Sequence, residues 1–154
     1  MKILLRTITA FAVFFLAPHA LAAAKIGVEN AWIPQAPPGV DMFAGYLTIS
    51  NSGDASVNVL AAQSDRFRSV TVHQTVIENG VSKMRELHLL EIAPGKETTF
   101  APGGTHLMLM QPRSPVLPGD RIEITLLLSD GQRVPAIFEV QAAATDDQAH
   151  DHHH

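Results

Sequence analysis

Past its first two dozen residues the chain alternates apolar and polar positions with a period of two, the mark of half-buried β-strands. The run Arg121–Ser129 is the clearest case. Ile122, Ile124, Leu126 and Leu128 point one way, and Arg121, Glu123 and Thr125 point the other. Asp130-Gly131 follows as a tight hairpin turn. Ala136, Phe138 and Val140 then form a returning strand, with Pro135 near its start, where an edge tolerates it. Leu47 and Ile49 alternate with Tyr46, Thr48 and Ser50 before the turn Asn51-Ser52-Gly53-Asp54, and Val57 and Val59 mark another strand. Further turns fall at Pro94-Gly95, Pro102-Gly103-Gly104 and Pro118-Gly119. No segment of this region keeps a 3.6-residue apolar period. The expectation is an all-β domain of about seven to nine short strands, packed as a sandwich or a Greek-key barrel.

The two ends do not fit that pattern. Lys2 and Arg6 precede an apolar run from Ile8 to Ala17, Pro18 breaks it, and Ala20-Leu21-Ala22 supplies small residues at a cleavage point. This reads as a secretory signal peptide over residues 1–22, too short to span a bilayer and expected to leave no membrane span after cleavage. The β-domain is then expected over 23–141. Residues 142–154 are small and acidic and close on His150-Asp151-His152-His153-His154, the composition of a disordered tail.

Composition narrows the chemistry. At 154 residues one domain is the natural reading. There are no cysteines, which removes disulfides, thiolate zinc, iron–sulfur clusters, thiol catalysis, the thiolate of a blue-copper centre and a lipid-modified amino terminus. Removing Lys2 and Arg6 with the leader leaves nine basic against fifteen acidic residues, a formal charge of −6. With no basic run, nucleic acid is not an expected partner. No nucleophile or acid–base constellation suggests an enzyme. What stands out is eight histidines and five methionines in so short a chain.

Two segments concentrate them. Val70, Val72 and Val76 share one face of a strand, and Thr71, His73 and Thr75 share the other. Glu78-Asn79-Gly80-Val81 is a hairpin signal. A two-residue loop pairs residues whose numbers sum to 159, so His73 faces Glu86, Thr75 faces Met84, and Met84 becomes a diagonal neighbour of His73. In the second segment His106, Met108 and Met110 share one face, while Leu107 and Leu109 face the core. Thioether sulfur is soft and neutral, and imidazole is borderline, so the pair suits Cu(I) better than Zn(II), Mg(II) or Ca(II). Methionine is also common core filling. From these residues alone, a metal-free periplasmic β-sandwich that binds a protein or ligand therefore stays open as the competing reading.

The order His73, ten residues, Met84, twenty-one residues, His106, one residue, Met108 resembles the signature of the PCuAC-type periplasmic copper chaperones. Asn30-Ala31-Trp32-Ile33, the Pro-rich loop at 36–39, Ala44–Asn51 and Pro102–Met108 also resemble that family, so the likeness runs over residues 26–141. Pro34-Gln35 departs from it, where relatives often carry Arg. The resemblance implies a cupredoxin-like fold without the copper thiolate. It implies a surface Cu(I) site of His73, Met84, His106 and Met108, and carriage of copper through the periplasm toward cytochrome c oxidase. The partners it implies are a Sco-type copper protein and the CuA-bearing subunit II of the oxidase. Copper storage or resistance is a neighbouring reading.

Other residues carry weaker expectations. Glu86 is placed to orient the His73 ring or to be a plain surface charge. Met110 is expected at the rim or packed, Met42 beside the Pro-rich loop, His88 in solvent and Trp32 in the core. His150, His152, His153 and His154 with their aspartates suit a second site for Cu(II), the harder, tetragonal ion.

Overall fold

The computed structural model describes residues 25–142. The expected leader and all but the first residue of the expected tail lie outside the described residues. The described chain is all-β, with ten strands: β1 (Ile26–Pro34), β2 (Met42–Asn51), β3 (Val57–Gln63), β4 (Phe67–Glu78), β5 (Val81–Glu86), β6 (Leu90–Ile92), β7 (Lys96–Phe100), β8 (Thr105–Pro112), β9 (Arg121–Leu128) and β10 (Arg133–Gln141).

The count exceeds the sequence expectation for local reasons. Strand β6 is three residues long, too short to show a period. Strand β7 buries only Phe100. Strand β1 carries a bulge between Glu29 and Trp32, with Asn30 in the left-handed region at φ 53°, and the bulge breaks its alternation. The loop after β9 also differs from a two-residue turn. Leu128 N–H donates to the Gln132 carbonyl, which leaves three residues between them with Gly131 at φ 86°.

The strands hydrogen-bond in the order β5-β4-β8-β2-β1-β10-β9-β3-β6, with β7 on β2. All pairs are antiparallel except β1 with β10. Strand β2 is the seam. Its first half, Met42–Gly45, pairs with β8, and its second half, Leu47–Asn51, pairs with β7. The sheet folds over there, so the β5-β4-β8 layer and the rest enclose one core. A side chain is excluded at the fold. A Cβ on Gly45 would meet the Leu107 Cβ at 3.3 Å and Phe138 at 3.4 Å.

The core is built from one parity of each strand. Phe43, Leu47 and Ile49 come from β2, Val70 and Val72 from β4, Leu107 and Leu109 from β8, and Ile122, Ile124, Leu126 and Leu128 from β9. Each such side chain stabilises the fold by about 1.5–3 kcal/mol through apolar burial. Buried polar side chains among the described residues are two, Asn51 and His106. Asn51 is fully satisfied: Nδ2 donates to the carbonyls of Ala55 at 2.7 Å and Ile92 at 3.0 Å, and Oδ1 accepts from Gly53 N–H. It ties the end of β2 to the β6 segment. No methionine among the described residues lies in the core.

Candidate metal centre

The opposite parity of β4, β5 and β8 builds the site. In the β4–β5 hairpin, Asn79 and Gly80 both have positive φ, 54° and 76°, as a type I′ turn requires. That turn fixes the pairs expected from the sequence, His73 with Glu86 and Thr75 with Met84. Glu78 forms ion pairs with Lys83, at 3.1 Å, and with Arg85, which clamp the hairpin near its tip. On its other side β4 pairs with β8, His73 opposite His106 and Thr71 opposite Met108. The two segments picked out separately in the sequence are therefore neighbours, and β4 lies between the other two strands.

The histidine rings stand 6.0 Å apart between centres, tilted by 32°. With metal–nitrogen bonds of about 2 Å, two imidazoles can share one ion when their centres lie within about 6 Å. Met84 is one pleat from this pair on the hairpin side, and Met108 one pleat away on the β8 side. The two thioethers thus flank the histidines from opposite ends of a diagonal. Met84 is half exposed on the outermost strand, and Met108 is partly covered between two strands.

Each imidazole is prepared differently. His106 is only 6% exposed. Its Nδ1 lies 3.0 Å from the Gly104 carbonyl, and a carbonyl only accepts, so Nδ1 carries the proton and Nε2 keeps a free lone pair. The turn Pro102-Gly103-Gly104, with Gly103 at φ 78°, holds that carbonyl, which also accepts from Thr75 N–H at 3.2 Å. His73 Nε2 lies 2.9 Å from Thr71 Oγ1, while its Nδ1 is buried with no hydrogen-bond partner. A buried nitrogen of that kind costs about 1–3 kcal/mol unless something binds it. Burial holds the His73 pKa below the usual imidazole value, Glu86 opposes this, and neighbouring His106 adds to it. The fold thus disfavours the charged form of the His73 ring.

The surrounding residues sort themselves as follows. Glu86 faces His73 in register, but its carboxylate reaches His88 Nδ1 at 3.6 Å. The His88 side chain is 85% exposed, as expected. Trp32 is not in the core. Ile33 takes the inward position, and Trp32 points outward onto Tyr46, with ring centres 4.8 Å apart. Parity explains the correction, because the bulge in β1 decides which of the adjacent residues faces in. The β2–β8 register continued by one residue sets Tyr46 beside His106, so an aromatic pair borders the site. Burial raises the Tyr46 pKa. Sequence reasoning missed Thr71 and Tyr46. Their only signal was shared parity with His73 and Met108. The histidine tail lies outside the described residues.

Among the described residues no three His, Cys, Asp or Glu side chains form a metal cluster. An open polar cleft of about 630 Å³ on β3 and β9, lined by Arg66, Arg121 and Arg133, contains no His or Met. The soft donors lie together on the other layer.

The LpqE-like model, described as "Putative lipoprotein LpqE-like", matches residues 26–140. This chain belongs to the LpqE-like family. A relative, "Putative lipoprotein Lxx21020" of Leifsonia xyli subsp. xyli, is 34% identical over 75% of this chain and 69% of its own. "Uncharacterized protein RP573" of Rickettsia prowazekii is 31% identical over 56% of this chain and 49% of its own. Among solved structures, the copper-bound PCuAC domain from PmoF2 superposes with TM-score 0.65 at 25% identity, covering 78% of this chain and 96% of that domain. The Cu(I) form of DR1885 from Deinococcus radiodurans gives TM-score 0.59 at 26% identity, covering 80% and 83%. The LpqE-like chain therefore has the PCuAC domain fold, as the motif implied. Lipoprotein is part of the relatives' names, and the 154 residues of this chain contain no cysteine.

Proposed function

We propose that this LpqE-like protein is a periplasmic Cu(I) carrier whose ligands are His73, Met84, His106 and Met108. One observation carries the reading. The two histidines sit opposite each other in register, His106 with its Nε2 lone pair unspent and His73 with its Nδ1 unpartnered, and a methionine flanks each on the same outward face. Methionines used as core filling would lie among the buried residues, and none of the described ones does. Neutral soft donors suit Cu(I), and the absence of thiols suits an oxidising compartment. The similarity to copper-bound PCuAC domains supports the same metal, and the leader and the relatives' names support export.

The arrangement suits a carrier. Met84 lies half exposed on the outermost strand, so an acceptor's thiolates reach it first. Met108 and the histidines hold the ion until that exchange has begun. The acceptor is a Sco-type protein or the CuA site of cytochrome c oxidase subunit II, and the histidine tail captures Cu(II). The chain acts by ligand exchange, not as an enzyme.

The test is an anaerobic Cu(I) titration of residues 23–142 against a chromophoric chelator, beside the Met84→Leu/Met108→Leu variant. One tight equivalent, lost in the variant, is expected. Equal binding by the variant overturns the ligand assignment, and no binding by either makes the metal-free module the better reading. Mixing the loaded protein with a soluble CuA domain then separates delivery from storage. Equal Cu(II) uptake by the chain with and without residues 143–154 removes the tail from the scheme.

A further inference from the structure

All four methionines among the described residues lie on one outward face, but the proposed centre uses only two of them. Met42 and Met110 are directly opposite residues of β2 and β8. Opposed side chains in such a pair have Cβ atoms about 5 Å apart, within bridging reach for two thioethers. Ala44, one pleat along β2, faces Met108, so the Met42–Met110 pair and Met108 are contiguous on this face. Met110 is two residues along the strand from Met108, a step of about 7 Å.

Neither side chain belongs to the buried core. Met42 is 47% exposed, and Met110 lies between the core and the surface, with Ser69 opposite it on β4. The backbone around them is pinned. Gln111, directly after Met110, sits in the left-handed region at φ 53°, and its N–H donates to the Asp41 carbonyl, directly before Met42, at 2.9 Å. A non-glycine residue held there costs of order 1 kcal/mol and persists only where its surroundings enforce it. The pin keeps the start of β2 against the end of β8, and so keeps the two thioethers together.

We propose that Met42 and Met110 form a second, weaker Cu(I) site, from which the ion passes through Met108 to the histidine pair. This rests on the Cu(I) reading of the neighbouring centre. The ion enters between two neutral sulfurs, Met108 replaces one of them, and His106 Nε2 then draws the ion in. Only coordinate bonds are exchanged. Copper stays Cu(I), the thioethers carry no proton to lose, and the His106 Nδ1 contact to the Gly104 carbonyl leaves Nε2 to face the ion. Two thioethers without imidazole bind more weakly than the mixed set, so the gradient runs inward.

The experiment labels the methionine methyl carbons of the full mature chain with ¹³C and titrates it anaerobically with Cu(I) supplied as its acetonitrile complex. The expected result is movement of the Met84 and Met108 methyl signals over the first equivalent, with Met42 and Met110 moving together over the second. The Met42→Leu/Met110→Leu variant keeps the first step and loses the second, and it loads more slowly from a chelator. If Met42 and Met110 stay unmoved beyond two equivalents while Met84 and Met108 have shifted, the second site is refuted and the first stands. If no methionine signal moves, the Cu(I) function itself fails.

Discussion

Residues 106 and 107 are adjacent in sequence and opposite in role, which permits a double dissociation. His106 faces the site and Leu107 the core, where it is fully buried. His106→Leu removes one side-chain hydrogen bond, but the Gly104 carbonyl it served still accepts from Thr75 N–H. No buried group loses its last partner, so the cost to the apo fold is at most about 1 kcal/mol. The same change deletes a donor of the proposed centre. Replacing a mere orienting neighbour of a metal ligand costs 10–100-fold in affinity, so losing the ligand itself should cost at least about a hundredfold in Cu(I) affinity. Leu107→Ala should do the reverse. It opens a cavity in the core for about 3–5 kcal/mol, lowering the melting temperature by about 10–15 °C for a domain of this size. Below its transition it should bind Cu(I) as wild type does. Thermal melts followed by circular dichroism, paired with chelator competition, measure both quantities on each variant. Wild-type Cu(I) affinity in His106→Leu would falsify the ligand assignment. An equal loss of copper from folded Leu107→Ala would mean that the site depends on general packing, not on the named donors.

Three further outcomes follow from particular contacts. Asn51→Leu leaves the Ala55 and Ile92 carbonyls short of a donor and should cost about 2–3 kcal/mol by urea denaturation; a change below about 0.5 kcal/mol would contradict the anchoring role. Gly80→Ala meets no neighbouring atom but must hold φ 76°, so it should cost about 1 kcal/mol from backbone strain alone, and a neutral result would argue against the type I′ turn. The pH dependence concerns His73, whose folded pKa lies below the ordinary value of about 6.5. A depressed pKa means that the fold disfavours the charged ring. The contribution is fully present above the unfolded value and is lost as pH falls through the folded one. Apo-protein melting temperatures should therefore decline from about pH 7 to pH 5, and less steeply in His73→Gln; parallel profiles would remove His73 as the cause.

Much of this was legible in the chain because β-structure writes itself in parity. The Asn79-Gly80 turn alone set the register of β4 on β5, including the His73–Glu86 and Thr75–Met84 pairs. Alternation likewise separated His106 and Met108 from Leu107 and Leu109. What alternation does not carry is which strands become neighbours. The pairing of β4 with β8, which brings His73 to His106, is made across 33 positions of chain and depends on the core that both strands share. Hydrogen-bond detail was also out of reach. The Gly104 carbonyl under His106 comes from how the Pro102-Gly103-Gly104 turn closes. Trp32 was misplaced for a related reason, since one bulged residue inverts the facing of everything after it.

The ligand spacing itself follows from the topology, and its parts are not equally rigid. The ten residues between His73 and Met84 run up β4, around a two-residue turn and down β5. One residue more within either strand would turn Met84 to the opposite face. The single residue between His106 and Met108 is one step of alternation and equally fixed. The twenty-one residues between Met84 and His106 are different. They leave the β5 edge, lay β6 against β3 and β7 against β2, and return as β8. Their length is what that excursion requires, but the register of β8 on β4 is held by Val70, Val72, Leu107 and Leu109 in the core. Core and site thus share the same strands and the same register. Whatever keeps the apolar parity inward presents the His and Met parity outward, so the stability of the sandwich is also what preorganises the donors.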